Sequence, residues 1–296
     1  HEKNKQIKNC SIRVISGCFF KCKMCFYWKE KKGNFFDFDT YKQIILDLKR
    51  INPSFQVSLY GGEPLLFQHL DKFVRFATDN NIESTISTNG FLLTKKWINR
   101  LETSGLNHMY ISIDGFTSKT HDTIRGMTGS HHKIMKSLEL IKKIKPKFHV
   151  SPTFVIMKDN IEEVVDFVKW AQNIDTFKEI SLQILEQPAH TKHEKQWYLN
   201  RKYESLWPND ALKIKQIFLE LCNLKNKNKL KQKNNQLKNY ESYYLYPEIF
   251  LKKKTNCNVI DNLLNIDVDG QVNLCTKMDP IGNNFKNNLY DLWSSK

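Results

Sequence analysis

Short apolar runs alternate with amphipathic stretches along residues 11–185, and this alternation limits the possible folds more than any other feature of the sequence. The runs have the length of strands, and the stretches between them repeat apolar residues at helical spacing, as Ile44, Leu48 and Ile51 do. Six strand–helix pairs follow one another in this way. The pattern predicts a parallel sheet with right-handed crossovers, either an open doubly wound sheet or a partial barrel.

Residue types at the helix ends support this pattern. Thr94 is a favourable N-cap for the helix that follows the third strand, and Gly105 is a favourable stop for the same helix. Asn160 is expected to cap the helix that follows the fifth strand.

Polar and glycine-rich motifs lie directly past the carboxyl ends of the predicted strands. They are the cysteine-rich residues 16–28, the tetrad Gly61-Gly62-Glu63-Pro64, the stretch Ser87–Gly90 and the stretch Ser112–Gly115. In parallel α/β folds, this edge of the sheet carries the active site. We therefore expect the four motifs to meet at one cleft.

Three cysteines, Cys18, Cys22 and Cys25, fall within eight residues at the spacing C-x3-C-x2-C. A structural zinc site normally has four ligands supplied as two close pairs, and this triplet has no fourth cysteine or histidine near it in sequence. Three thiolates suit a 4Fe–4S cluster in which one iron remains open to another ligand. The spacing therefore favours an iron–sulfur site over a structural zinc site.

The cysteine spacing after the first strand, together with Gly61-Gly62-Glu63-Pro64 after the second, resembles the radical S-adenosylmethionine (SAM) superfamily. The resemblance covers about residues 11–185 and implies a partial (β/α)6 TIM barrel with a small C-terminal α+β module. It also implies that Cys18, Cys22 and Cys25 ligate three irons of a 4Fe–4S cluster and that SAM chelates the fourth. The implied reaction is reductive cleavage of SAM to a 5′-deoxyadenosyl radical that takes a substrate hydrogen, with electrons from a flavodoxin- or ferredoxin-type donor.

The resemblance further implies which residues contact SAM. Gly61-Gly62-Glu63-Pro64 would present backbone groups to the SAM amino group, where a Cβ would block the approach. Ser112 and Arg125 match positions that reach the SAM carboxylate or ribose, although Arg125 could also be a surface or helix-capping residue. Ser87 and Asn89 are further candidates that could simply serve the turn.

One position departs from the pattern of the superfamily. The residue before the third cysteine is commonly aromatic and packs near the adenine, whereas this chain has Met24. A thioether can also pack against an aromatic ring, so Met24 remains a predicted adenine contact.

A second cysteine pair lies beyond about Gln187, where the alternation ends; we place one unit at 1–186 and a second at 187–296. Cys257 and Cys275 flank a predicted β-hairpin with a turn at Asp269-Gly270. Their spacing resembles the start of the SPASM/twitch module, which implies that both cysteines ligate an auxiliary iron–sulfur cluster. Three alternatives stay open: further ligands in a longer natural chain, completion of the site by Cys222, or a vestigial module without a cluster.

Composition limits the partners and the location. The formal net charge is +15, but the run at 223–239 with six Lys and six Asn has no interleaved aromatic residues to stack bases. We therefore expect a solvated helix or loop there and do not expect a nucleic-acid partner. No apolar run reaches the length of a membrane span, and no signal peptide is recognisable, so we expect a cytoplasmic protein without a membrane partner.

Two substrate hypotheses follow from the resemblance. The first is modification of a ribosomally made peptide or a protein side chain, and the second is the same chemistry on a small molecule such as a sugar, aminoglycoside, nucleotide or cofactor precursor. Only 17 residues precede Cys18, which leaves no room for an N-terminal recognition domain and suggests a separate recognition protein or a directly bound substrate. A zinc-stabilised nucleic-acid-binding protein is a third hypothesis, but it leaves Gly61-Gly62-Glu63-Pro64 unexplained. Glu186 and His190 are candidate proton or hydrogen donors.

Overall fold

A computed structural model describes residues 7–30, 33–225, 227–252, 262–275 and 278–294. The strands there are β1 (Asn9–Ile15), β2 (Gln56–Gly61), β3 (Glu83–Thr88), β4 (His108–Ser112), β5 (His149–Ile156), β6 (Ser181–Ile184), β7 (Leu263–Ile266), β8 (Gln271–Asn273) and β9 (Gly282–Asn283). They form one sheet in the order β6-β5-β4-β3-β2-β1-β7-β8-β9. Neighbouring strands from β1 to β6 are parallel, which confirms the sheet predicted from the alternating pattern.

Helices connect these strands and continue beyond them. In the described residues they are α1 (Phe38–Ile51), α2 (Leu70–Asp79), α3 (Lys95–Thr103), α4 (Ser118–Arg125), α5 (Ser130–Ile144), α6 (Val164–Gln172), α7 (Ala211–Asn223), α8 (Asn234–Leu245), α9 (Pro247–Lys252) and α10 (Leu289–Ser294). The apolar residues Ile44 and Leu48 of α1 are buried, as their helical spacing predicts. Within the described part of the chain, no helix combines the length and apolar character needed to span a bilayer.

The two faces of the sheet differ in polarity. On the face against the helices, the strand residues are apolar and buried; examples are Ile12, Val14, Val57, Leu59, Ile86 and Ile111. On the opposite face, polar residues line a cavity of about 580 Å³; they include Ser11, Ser58, Ser87, Tyr110, Thr153 and Gln183. This alternation follows from the period of two along a strand. An unclosed parallel sheet with an inner polar face is a partial TIM barrel, as predicted.

Part of the lysine- and asparagine-rich run covers the outer edge of β6. The Ile180 N–H donates to the Lys229 carbonyl (2.6 Å), and the Lys231 N–H donates to the Ile180 carbonyl (2.9 Å). The Gln232 side chain bonds both backbone groups of Leu182 (3.0 and 2.8 Å). The expectation of a fully solvated run is therefore wrong at these residues, because the exposed backbone groups of an edge strand need partners.

The C-terminal strands extend the same sheet. β7 runs parallel to β1, with Asn9 opposite Leu263 and Ile12 opposite Ile266. β8 is antiparallel to β7, and Gly270 in the turn has a φ of +82°. The hairpin predicted at Asp269-Gly270 is thus confirmed, and it lies beside the strand that precedes the cysteine triplet.

The predicted helix ends are confirmed in two of three cases. The Thr94 side chain accepts a hydrogen bond from the Trp97 N–H (3.3 Å), and Gly105 follows the helix with a φ of +85°. Asn160 does not cap with its side chain. Its oxygen instead accepts from the Met157 N–H (2.8 Å), and its amide donates to the Asp114 carbonyl (2.9 Å).

Candidate active site

The loop with Cys18, Cys22 and Cys25 begins directly after β1 and packs against the ends of neighbouring elements. The Cys18 sulfur accepts a hydrogen bond from the Phe20 N–H (3.4 Å). The buried Phe20 ring meets Phe91, which follows β3, with 5.6 Å between ring centroids. In the described residues, no three His, Cys, Asp or Glu side chains converge on a single metal ion. Thiolates that each bind a separate iron of a cluster do not need to converge in that way.

Gly61 and Gly62 allow the end of β2 to touch the start of the cysteine loop. A Cβ on Gly62 would lie 1.5 Å from the Gly17 carbonyl oxygen, and a Cβ on Gly61 would lie 2.5 Å from the Ile15 side chain. The Gly62 N–H donates to the Ile15 carbonyl (3.2 Å). The sequence predicted that glycine is needed here for the approach of SAM. The structure gives another reason, because any side chain on Gly62 would displace the backbone before Cys18.

Glu63 joins the ends of β2 and β3. Its buried carboxylate accepts hydrogen bonds from the Thr88 hydroxyl (2.6 Å) and from the N–H groups of Asn89 (2.8 Å) and Leu65 (3.0 Å). Burial raises the pKa of Glu63, and these donors oppose that rise. Pro64 is buried at the start of a short 3₁₀ turn, where its fixed φ suits the chain direction. The side chain of Glu63 is therefore engaged within the protein, and a contact of its backbone with SAM stays a prediction.

Arg125, the last residue of α4, points at the cysteine loop. Its guanidinium forms an ion pair with the fully buried Asp114 and lies 3.8 Å from the Cys22 sulfur. Burial raises the pKa of both Asp114 and Cys22, while the positive charge of Arg125 opposes both shifts. Arg125 thus places one cation beside a predicted cluster ligand, and its predicted contact with SAM stays untested.

The remaining SAM-contact candidates occupy different places. Asn89 is buried, its side-chain oxygen accepts from the Phe91 N–H (2.9 Å), and its side-chain nitrogen has no acceptor among the described residues. Ser112 ends β4 opposite Thr153 of β5. Ser87 is exposed on the inner face of β3 and lines the polar cavity of the sheet. Among these candidates, the Asn89 side-chain nitrogen is the buried donor that lacks an acceptor, so it is the group best placed to bind a ligand.

Met24 lines a second cavity, of about 400 Å³, beside the cysteine loop. Its other walls include Val155 of β5 and the segment from Gln183 to Gln187 at the end of β6. The Phe26 N–H donates to the Ala189 carbonyl (3.1 Å), so the segment after β6 is attached to the loop. The apolar part of this wall could hold a flat ring against the Met24 thioether, as the sequence predicted.

The second cysteine site is described only in part. Cys275 lies two residues past the end of β8 and is partly exposed. Cys257 falls outside the described residues. Cys10 is fully buried in the core, and Cys222 packs against the core from α7. Cys257 and Cys275 therefore remain predicted ligands.

Two residues of the site, Asp114 and Gly17, were not predicted from the sequence. Asp114 fixes Arg125 and also accepts from the Val155 N–H (2.7 Å), which joins β4 to β5. A carboxylate directly after a strand, in the stretch Ser112–Gly115, is a signal that could have found it. Gly17, directly before Cys18, has a φ of +73°. Its role depends on this backbone conformation, which only the structure shows.

A family comparison decides the assignment. The model of the radical SAM superfamily matches residues 12–171, which is more than half of the chain. The chain belongs to the radical SAM superfamily. The cofactors of this superfamily are a 4Fe–4S cluster and SAM.

Curated relatives that match this chain carry different enzyme names. The AdoMet-dependent heme synthase of Methanosarcina barkeri (strain Fusaro / DSM 804) is 32% identical over 116 residues, which are 39% of this chain and 33% of the relative. The GTP 3′,8-cyclase of Helicobacter pylori (strain HPAG1) is 28% identical over 222 residues, covering 72% of this chain and 65% of the relative. The match thus spans about a third of the first relative and somewhat less than two thirds of the second.

Solved structures of radical SAM enzymes share the fold over nearly the whole chain. SuiB of Streptococcus suis bound to S-adenosylmethionine has a TM-score of 0.73 at 17% identity, with 97% of this chain and 66% of SuiB covered. SuiB bound to the precursor peptide SuiA has a TM-score of 0.74 at 18% identity, with 97% and 65% covered. At this identity, the likeness shows the fold.

The residues present fit the cofactors of the superfamily. Burial raises the pKa of Cys18 to about 12 and that of Cys25 to about 11, so these sulfurs carry protons near neutral pH unless a metal replaces them. The unpaired Asn89 amide and the cavity beside Met24 lie on elements that adjoin the loop. Three cysteine sulfurs in one loop, next to a buried amide that lacks an acceptor, form a donor set that suits a 4Fe–4S cluster with a bound organic ligand.

Proposed function

We propose that this chain is an enzyme that uses the 5′-deoxyadenosyl radical supplied by the cluster and SAM to remove hydrogen from a side chain of a ribosomally made peptide or protein. The observation that carries the proposal is the position of the cysteine loop. Met24 and Tyr27 line two cavities whose walls also include the segment after β6 and the β7–β8 hairpin. Because the sheet ends at β6 and at β9, no strand pairing among the described residues closes the gap between these walls, and a segment of a longer chain can enter there. The likeness to SuiB, whose structure was solved with its precursor peptide, supports this choice.

The residues of the chain have distinct parts in this proposal. Cys18, Cys22 and Cys25 would hold the cluster, and Gly62 would keep their loop in place. Met24 would pack on the adenine, while Asn89 and Ser112 would orient polar groups of SAM. The pairing with Asp114 would fix Arg125 next to Cys22, and the aromatic packing of Phe20 on Phe91 would exclude water from the cysteine loop.

A second candidate function is the same chemistry on a small molecule. It is favoured by the curated relatives, which include a heme synthase and a GTP 3′,8-cyclase. In that case, the substrate would be a nucleotide, a sugar or a cofactor precursor.

The experiment that tests the proposal is anaerobic reconstitution with iron, sulfide, SAM and a reductant. The enzyme is then incubated with an extract of the organism that encodes it, separated by dialysis into retained peptides and dialysable metabolites. Formation of 5′-deoxyadenosine that rises with the retained peptides supports the proposal. A rise with the dialysable fraction alone supports the small-molecule function, and no 5′-deoxyadenosine at all rejects both.

We also propose that residues 187–296 form a SPASM/twitch-like module and that Cys257 and Cys275 ligate an auxiliary cluster. Iron is counted in a variant with Cys18, Cys22 and Cys25 all replaced by Ala. Residual iron of about four per chain supports a second 4Fe–4S cluster. Iron near zero per chain would rule out the auxiliary cluster. A reducing cytoplasm would suit these thiols.

A further inference from the structure

A third cavity, of about 470 Å³, lies on the open side of the sheet. One wall is the segment after β6, from Glu186 to His193. The opposite wall is the β7–β8 hairpin, through Asn265, Asp267 and Gln271. The cavity therefore bridges the gap between the last strand of the β/α series and the strands added beside β1.

This cavity adjoins the predicted cofactor site. Tyr27, two residues past Cys25, lines it, and so does Tyr60, which directly precedes Gly61. Three residues, Glu186, Gln187 and Ala189, line both this cavity and the one beside Met24. A ligand here would lie next to a molecule bound against the cysteine loop.

Behind the cavity, a network of ion-paired side chains runs across this gap. Arg13 of β1 is buried and forms ion pairs with Glu30 and with Asp267 (3.2 Å). On its other side, Glu30 contacts His190 Nδ1 (2.8 Å). The two carboxylates outnumber the one guanidinium, so Arg13, Glu30 and Asp267 together carry one negative charge when both carboxylates are ionised. The local charge is therefore opposite in sign to the net +15 of the whole chain.

Two members of this charge network, Asp267 and His190, line the cavity, and Asp267 supplies the carboxylate. Its side chain is 33% exposed, and its carboxylate takes hydrogen bonds from Arg13 (3.2 Å) and from the Val268 N–H (2.5 Å). A carboxylate offers about four lone-pair sites, so it can accept further donors. The described lining holds two carboxylates, Asp267 and Glu186, two imidazoles, His190 and His193, and the amides of Asn265, Gln271 and Asn273. This lining suits a group that is cationic and donates several hydrogen bonds.

We propose that this cavity binds the side chain of a lysine or arginine in the peptide substrate and that Asp267 determines this preference. The inference rests on the proposed function and adds the class of side chain that the site selects. Arg13 acts as a positioning residue, because its ion pair holds the Asp267 carboxylate at the wall.

The test is an affinity selection from a random heptapeptide library with both ends capped, on the reconstituted enzyme with SAM. We expect lysine and arginine to be enriched about tenfold, a ratio that one charge-assisted hydrogen bond can supply. Asp267→Asn should remove the enrichment. Gln271→Lys, which adds a cation to the same cavity without altering Arg13, should also remove it.

Asp269→Asn is the matched control. Asp269 lies in the same hairpin, but it is exposed and its carboxylate bonds Gln271 (3.0 Å) instead of Arg13. The enrichment should survive this change. Enrichment of acidic residues, enrichment of none, or lysine and arginine enrichment that persists in both Asp267→Asn and Gln271→Lys would overturn the inference.

The selection needs binding but no turnover, so the two proposals can fail separately. If the wild type forms no 5′-deoxyadenosine, the proposed function fails. If it forms 5′-deoxyadenosine but does not select lysine or arginine, only the present inference fails.

Discussion

Cys22 lies in a loop that contacts the ends of three parallel strands and a helix, whereas Cys275 follows a strand of only three residues. The contacts of the first loop are with Gly62 after β2, Phe91 after β3, Ile124 in α4 and Ala189 after β6. Around Cys275, the Cys275 carbonyl accepts a hydrogen bond from the Met278 N–H (3.1 Å), a partner only three positions along the chain.

This difference shows how each site depends on the fold. The first loop is held by elements that the β/α series brings to one edge, so the sheet itself builds the site. The hairpin near Cys275 is attached to that sheet through the pairing of β7 with β1. We therefore expect changes near Cys22 to affect SAM cleavage strongly and changes near Cys275 to affect it weakly.

Among changes outside the cysteines, the largest effect on SAM cleavage is expected for Gly62→Ala. Its new methyl group would overlap the Gly17 carbonyl, so the backbone before Cys18 must move. A displacement of about 1 Å at a reacting site can lower a rate about a hundredfold. We expect a fall of that size in 5′-deoxyadenosine formation, measured under anaerobic single-turnover conditions.

Gly129→Ala is the control for the Gly62 variant. No heavy atom lies within 4 Å of an added Cβ there, and its φ of +78° makes the substitution destabilising by about 1 kcal/mol without moving the loop. Equal losses of SAM cleavage in the two variants would show that the contact between Gly62 and Gly17 is not what positions the cysteine loop.

Arg125→Met should destabilise the protein by about 3–5 kcal/mol, because it leaves the buried Asp114 carboxylate without its partner. Urea unfolding of the metal-free protein measures the change. The double variant Arg125→Met/Asp114→Asn should recover most of the loss. A double variant as unstable as the single one would contradict this account of the pair.

Cys275→Ala should leave the rate of 5′-deoxyadenosine formation within about twofold of the wild type, since about 0.4 kcal/mol corresponds to that factor. If the auxiliary cluster exists, the iron content should fall at the same time. A complete loss of SAM cleavage would show that the C-terminal hairpin supports the first cysteine site. That result would contradict the difference drawn above between the surroundings of Cys22 and Cys275.

A last effect concerns stability rather than SAM cleavage, through His121, which is buried beside this site and accepts a hydrogen bond from the Asp114 N–H (3.2 Å). Burial lowers the pKa of His121 to about 3, while the unfolded chain has the usual value of about 6.5. As the pH falls from 6.5 towards 3, the unfolded chain binds the proton first. The free energy of unfolding should therefore fall by up to about 1.4 kcal/mol per pH unit.

Replacement of His121 by Asn, which keeps an acceptor but cannot take up the proton, should flatten this pH dependence in urea unfolding. The exposed His132 offers the matched control, as His132→Asn should leave the slope unchanged. An unchanged slope in the His121 variant would rule out this residue as the cause.

The sequence predicted the edge of the sheet where the site forms, because strand ends can be read from local periodicity. It did not predict which side chains meet there. Glu63 pairs with Thr88, 25 residues away, and that partner depends on the register of β2 and β3. The role of Gly62 in making room for SAM stays a prediction, and the structure adds that Gly62 makes room for Gly17, which local sequence could not indicate.

The longest-range features had no local signal. Arg13 meets Asp267 across 254 positions, because β7 pairs with β1. Apolar spacing alone can indicate that β1 and β7 are strands, but it does not show that they pair with each other. The cavity between the hairpin and the segment after β6 could therefore be found only from the structure.

The most direct test of the central claim compares the reconstituted wild type with Cys22→Ala in one measurement of 5′-deoxyadenosine per chain. The account predicts product from the wild type with SAM and reductant, and none above background from the variant. Product from Cys22→Ala at the wild-type level would contradict the claim that this loop holds the cluster that cleaves SAM.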